Sequence, residues 1–232
     1  MNTVPDDQSK PPDTVTKDPP DRTLIYSWVL VSDFGSYVKT LNATVTGIPA
    51  DADTGVGYIY IDHDCGISMV MEYFGTKNGG ELCRTSLVSL DNLISLRFRY
   101  SSLKLLNLKQ LTPEEATGLG LPTIPDRIHF YSTPDLKTIR ELEWFDPFRA
   151  NGFFDDVMAF LPRLGENVPE LVWVRLTRYL GVTDRFLGYL LNEPFRDYGI
   201  HKGDILEIQV IRDPQVIWLA AIPRKINRNE GT

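Results

Sequence analysis

Cysteine is scarce: the 232 residues contain only Cys65 and Cys83. A small secreted scaffold built on disulfides needs more, so a packed core has to hold this chain, and both thiols are expected reduced. Long apolar runs are also missing. The strongest, residues 24–31, is far too short to span a bilayer, and no membrane association is expected. The opening Met1-Asn2-Thr3-Val4-Pro5-Asp6-Asp7 has neither the cationic start nor the apolar stretch of an export leader. A cytoplasmic location follows as the expectation, and the glycosylation pattern Asn42-Ala43-Thr44 is read as accidental. No long Lys/Arg run exists either. Lys plus Arg number 24 against 31 Asp plus Glu, a formal net charge of −7. Such a chain repels phosphate backbones, so nucleic-acid binding is not expected.

The common catalytic signatures are absent. There is no G-x-S-x-G, H-E-x-x-H, P-loop or zinc-deaminase pattern. Gly118-Leu119-Gly120 follows a helix rather than a strand, the wrong context for a dinucleotide phosphate turn. No cofactor is expected, and the balance leans away from an enzyme.

What the chain has is apolar surface. Hydrophobic residues make up 42% and aromatics 11%, enough for a substantial core in one large domain or two small ones. Residues 1–22, with Pro5, Pro11, Pro12, Pro19 and Pro20 among polar residues, read as a disordered tail. Residues 23–150 read as an N-terminal α+β domain, 151–223 as a small β module, and 224–232 as a frayed tail. Strands are expected over 24–31, 56–62 and 67–74, with a hairpin turn at Asp62-His63-Asp64-Cys65-Gly66 and a second turn over 76–80. Residues 91–100 alternate, with Ile94, Leu96, Phe98 and Tyr100 on one face and Arg97 and Arg99 on the other, as in a half-buried antiparallel strand.

The middle is helical. Thr112-Pro113-Glu114-Glu115 has the form of a capping box, and Gly118 soon ends that helix. Thr133-Pro134-Asp135 opens another, with Leu136, Ile139 and Leu142 on one face and Asp146-Pro147 closing it. Strands resume over 157–161, 171–178, 185–191, 205–212 and 216–222, a spacing that suggests a small barrel. The fold class is therefore β-rich α+β: an antiparallel N-terminal sheet, a helical connector and a C-terminal barrel-like module.

Several clusters are candidates for chemistry. His63, Cys65 and Cys83, with Asp62 or Asp64, approach a metal set, but zinc prefers tight local pairs and no C-x-x-C is present, so no metal is expected. The same loop read as a Cys–His nucleophile suffers from its own Asp62 and Asp64, whose charge raises a thiol pKa. Asp155 and Asp156 are adjacent in a strand, so they point to opposite faces and read as a solvated strand entrance. Arg97 and Arg99 read as the solvent face of their strand. The most distinctive stretch is Leu191-Asn192-Glu193-Pro194-Phe195-Arg196-Asp197-Tyr198-Gly199. Aromatics with an arginine anchor protein interfaces, which makes Asn192, Glu193, Phe195, Arg196 and Tyr198 the candidate contact residues. In the alternative, Phe195 and Tyr198 fold back to plug the barrel end. Gly203 is expected at positive φ before the next strand.

Four stretches carry a resemblance: Glu170-Leu171-Val172-Trp173-Val174, Gly188-Tyr189-Leu190-Leu191-Asn192-Glu193-Pro194, Gly203-Asp204 and Trp218. Together they make residues 166–221 resemble an uncharacterised bacterial domain-of-unknown-function family. Asp213-Pro214 departs from its pattern. The resemblance implies a small β-rich module, sometimes found in toxin-immunity loci, and implies no catalytic residue. Residues 1–150 resemble nothing comparable.

Three functions fit these observations. The first is a non-enzymatic protein-binding protein, of immunity type by the resemblance, whose acidity suits a basic partner. The second is a hydrolase without a local motif, using Asp62, His63 and Cys65. The third is a structural protein of a larger assembly.

Overall fold

The described residues of the computed structural model are 22–32, 52–78, 81–87, 96–162, 168–181, 184–214 and 216–223. Residues 1–21 of the tail expected over 1–22, the tail at 224–232, the Asn42 pattern, residues 91–95 of the alternating stretch and the Cys83 side chain lie outside them, while Arg22 is held by Asp146.

β1 (Ser27–Ser32), β2 (Thr54–Asp62), β3 (Gly66–Asn78) and β4 (Glu81–Leu87) form most of the first sheet. β5 (Arg97–Arg99) and β6 (Asn107–Gln110) complete it. Its order is β4-β3-β2-β1-β6, with β5 also on β3, and every pairing is antiparallel. β2 is buried along its whole length because both faces of the sheet are covered. Val29, Ile59, Ile67 and Met69 face one core, and Trp28, Tyr58, Tyr60 and Val70 face another.

Several expectations need correction here. The turn over 76–80 starts too early: β3 continues to Asn78 because β4 pairs with it from Glu81 to Leu87. The alternating stretch becomes strand only at Arg97–Arg99, after which the chain enters the short α1 (Tyr100–Leu103). Phe98 is buried between its two exposed arginines as expected, but Tyr100 belongs to α1. β6 was not expected at all, since Asn-Leu-Lys-Gln is polar and only Leu108 is partly covered.

α2 (Pro113–Gly118) has the expected capping box: Thr112 Oγ1 accepts from the Glu115 amide at 3.1 Å, and Glu115 Oε2 accepts from the Thr112 amide at 2.8 Å. α3 (Pro134–Glu141) is capped by Thr133 but ends sooner than expected. A separate 3-10 turn, Glu143–Phe148, follows and contains Pro147.

Next come β7 (Arg149–Ala150), β8 (Phe153–Leu161) and β9 (Glu170–Tyr179). β10 (Arg185–Leu190), β11 (Ile205–Arg212) and β12 (Ile217–Ile222) follow. β8 to β12 pair in sequence, each antiparallel to the next. β12 then meets β8 at Ala220 and Phe160, closing a five-stranded barrel. In a meander with an odd number of strands the first and last run the same way, so the closing pair is necessarily parallel. Alternate residues such as Val157, Val172, Val174, Leu206 and Ile208 fill the interior.

The connector plugs the barrel end where β8 starts and β9 finishes. Ile139 and Phe145 enter the barrel core, and Phe145 meets the Phe186 ring edge-on at 4.8 Å. Tyr198 and Ile200 close the opposite end, with the Tyr198 hydroxyl donating to the Leu161 carbonyl at 3.3 Å. No helix among the described residues is long and apolar enough to cross a membrane.

Candidate functional site

Two places gather the candidate residues. The first is the junction between sheet and barrel. Phe154, on β8, leaves the barrel and enters the sheet core beside Met69 and Phe98. The Ile67 amide donates to the Gly152 carbonyl at 2.7 Å. Around these contacts lies a set of charged groups joined across long sequence separations.

Asp155 is at its centre, with only 2% of it exposed. It has the same parity as Val157 and Ala159, so it points inward at the plugged barrel end. Arg140 reaches it from α3 with two hydrogen bonds of 2.8 and 2.6 Å, and Arg140 also donates to the Tyr26 hydroxyl at 3.0 Å and the Tyr131 carbonyl at 2.9 Å. His63 Nδ1 lies 2.8 Å from Asp155 Oδ2. Burial pushes the Asp155 pKa up, but hydrogen bonds from Arg140 and His63 outweigh it and hold the carboxyl below the usual range. An ionised Asp155 only accepts, so His63 carries its proton on Nδ1.

Asp156, on the opposite face, is bound by Arg175 at 2.7 and 3.0 Å, and Arg175 also reaches Asp64 at 3.0 Å. Here burial wins over the arginine, and the Asp156 pKa is raised. The solvated strand entrance is therefore overturned. The two carboxylates do face opposite ways, but each is buried against its own arginine from another element.

A third group surrounds Asp146, which accepts from Arg22 at 2.5 and 2.6 Å and from Arg149 at 2.9 Å. Arg149 is fully buried against the Phe154 ring, its Nη1 donating to the Phe154 carbonyl. Burial lowers its pKa to about 10 despite Asp146.

Asp62 is occupied by the hairpin itself. Its Oδ1 accepts from the Asp64 and Cys65 amides, both at 3.0 Å, which makes the turn, and Arg97 lies 3.6 Å from Oδ2. Arg97 also stands over the Tyr131 ring at 5.4 Å, so it is part of a charged cluster rather than a bare solvent stripe. Arg99 stays exposed. Cys65 is a free, half-buried thiol. Among the described residues no group of three or more His, Cys, Asp or Glu side chains is placed to hold a metal ion.

The second place is the loop at the far barrel end, between β10 and β11. Asn192 Oδ1 accepts from the Trp173 amide at 2.7 Å, anchoring the loop to β9. Glu193 accepts from the Lys202 amide at 2.9 Å and meets His201 Nδ1 at 2.6 Å. The His201 bond, with the Lys202 amide, lowers the Glu193 pKa. The Glu170 carboxylate accepts from the Phe195 amide and, at 3.2 Å, from the Arg196 amide. Pro194 and Ile200 are buried, Tyr198 is partly buried, and Phe195 is 94% exposed. Of the two aromatics, Tyr198 folds back onto the barrel and Phe195 points out. Val168 and Leu171, on either side of Glu170, are exposed as well. Gly203 has φ +90.

Arg22, Tyr26, Asp146, Arg149 and Arg175 were not singled out from sequence, and neither was Arg140. For Arg140 a signal existed: it lies four residues after Leu136 and so shares that residue's buried face. Asp155 offered another, through its parity with Val157.

Compared with protein families, curated proteins and solved structures, the chain matches none.

Proposed function

We propose that the chain is a non-enzymatic protein-binding protein that engages its partner through the loop at the far end of the barrel. The observation that carries this reading is Phe195, 94% exposed on a loop whose backbone is held by Asn192, Glu193 and Glu170. Ordering a loop on binding costs free energy, and a loop already held avoids that cost. An aromatic displayed this way beside an arginine has the make-up of an interface anchor. The net charge of −7 favours encounter with a basic protein. The likeness of residues 166–221 to a module of toxin-immunity loci extends the reading to a bacterial, cytoplasmic immunity protein that blocks a toxin.

The ionic groups at the junction support a holding role, since Arg140 with Asp155 and Arg175 with Asp156 are already matched. The hydrolase reading draws on the His63–Asp155 contact, the arrangement that orients a general base. Its weakness is the nucleophile: among the described residues His63 bonds no hydroxyl or thiol. Ordinary slow alkylation of Cys65 removes that reading.

Phe195→Ala is expected to leave the melting temperature unchanged and to weaken partner binding by about 30-fold, the effect of losing a contact worth about 2 kcal/mol. Titration with the purified partner, first isolated with the tagged chain, compares the parent with Phe195→Ala. Undiminished binding by Phe195→Ala overturns the proposal.

A further inference from the structure

The first sheet carries a cavity that the barrel-end loop does not touch. Its volume is about 400 Å³. That lies within the roughly 300–1,000 Å³ typical of small-molecule sites. Ile59 of β2 and Ile67 of β3 are its buried floor. Leu24 and Ile25 form one wall, while Leu103 and Leu106, from α1 and the turn after it, form the other. At its rim stand the exposed residues Lys104 and Asn107.

Two features narrow what such a cavity accepts. The floor and walls are mostly aliphatic, so water against them finds few of the two to four polar partners it needs, and an apolar chain displaces it at little cost. Lys104 is the sole charged residue of the lining among the described residues. Its ammonium lies 4.6 Å over the Tyr100 ring, which fixes it at the rim. No carboxylate is paired with it among the described residues.

The backbone shows how the wall is set. Tyr26 has φ 61, a left-handed conformation that non-glycine residues adopt only at a cost in strain. The Tyr26 hydroxyl is taken by Arg140 at the junction, while the preceding Ile25 lines the cavity. The junction thus holds the wall in place.

We infer that this cavity binds a small single-chain amphiphile with an anionic head, a medium-chain carboxylate. The chain lies on Ile59 and Ile67, and the carboxylate meets Lys104 at the rim.

The test is calorimetric titration of the full chain with hexanoate, octanoate and decanoate, with decanol and decyltrimethylammonium as head-group controls. One saturable site is expected, with affinity rising about fourfold per added methylene, the factor set by burying one such group. Leu106→Trp, which fills the cavity from its half-exposed wall, is expected to abolish binding without unfolding the chain, as circular dichroism checks. Lys104→Glu is expected to weaken decanoate by about tenfold or more, the loss of a charge-assisted contact, and leave decanol unchanged. Absence of saturable decanoate binding overturns the inference. Equal affinity for decanol and decanoate, or undiminished binding by folded Leu106→Trp, overturns it too.

Discussion

Asp155→Asn is expected to destabilise the fold by about 3–5 kcal/mol, because it leaves the Arg140 guanidinium buried without its counter-charge. Arg140 is 3% exposed and Asp155 2%, so water cannot replace the missing partner. Tyr26 and the Tyr131 carbonyl still accept from Arg140, but neither carries a charge. Removing both ions together, as Arg140→Met with Asp155→Leu, is expected to recover much of the loss, since desolvating a pair offsets most of its attraction. Urea unfolding of the single and double variants decides this. A single variant as stable as the parent would show that the pair does not hold the junction.

The same pair sets an acid dependence whose sign follows from its pKa. Asp155 is held below the unfolded carboxylate value of about 3.9, so its stabilisation is complete above that value and lost as pH falls through the lower folded one. Asp156 works the other way. Its raised pKa means that the folded state takes up that proton first, so its contribution is fully present below about 3.9 and lost as pH rises through the folded value. Asp155→Asn is therefore expected to flatten the loss of stability in acid, and Asp156→Asn to steepen it. Arg175 keeps Asp64 after the second change, so that variant costs less at neutral pH.

The barrel was legible because its information is local. β8 to β12 are successive hairpin partners, and each alternates inward and outward residues, so strand positions and neighbours can be read from spacing. β6 and β4 were not legible. β6 is a polar edge strand whose place comes from pairing with β1, far away in sequence. The junction was illegible for the same reason on a larger scale. His63 and Asp155 are 92 positions apart, and Arg175 and Asp64 are 111. Taken singly, His63, Asp64 and Arg175 read as solvated charges, and only the convergence of the elements that carry them shows Asp155 and Asp156 buried against partners from elsewhere in the chain. The loop at the far barrel end could be singled out because it is continuous in sequence. Its division of labour was not, because the exposure of Phe195 depends on Glu170, which lies 25 positions before it.

Gly66→Ala is expected to be nearly as damaging as Asp155→Asn, with a loss of about 2–5 kcal/mol from backbone strain and overpacking together. Gly66 closes the β2–β3 hairpin at φ +75, which disfavours any residue with a side chain. A Cβ there would lie 2.1 Å from the Gly152 carbonyl oxygen, a backbone atom that cannot rotate aside. Gly152 cannot simply retreat. It has φ +80 itself, and its own Cα faces the Tyr100 ring, which a Cβ would meet at 2.4 Å. The clash therefore has to be relieved by moving β8 away from β3, which stretches the bond from the Ile67 amide to the Gly152 carbonyl and draws Phe154 from the sheet core. The effect should be confined to the junction. Hydrogen exchange is expected to quicken at the Ile67 amide while amides deep in the barrel, such as those of Val174 and Ile208, keep their protection. Uniform loss of protection would mean that sheet and barrel unfold as one unit. Unchanged exchange at Ile67 would mean that the hairpin tip does not join them.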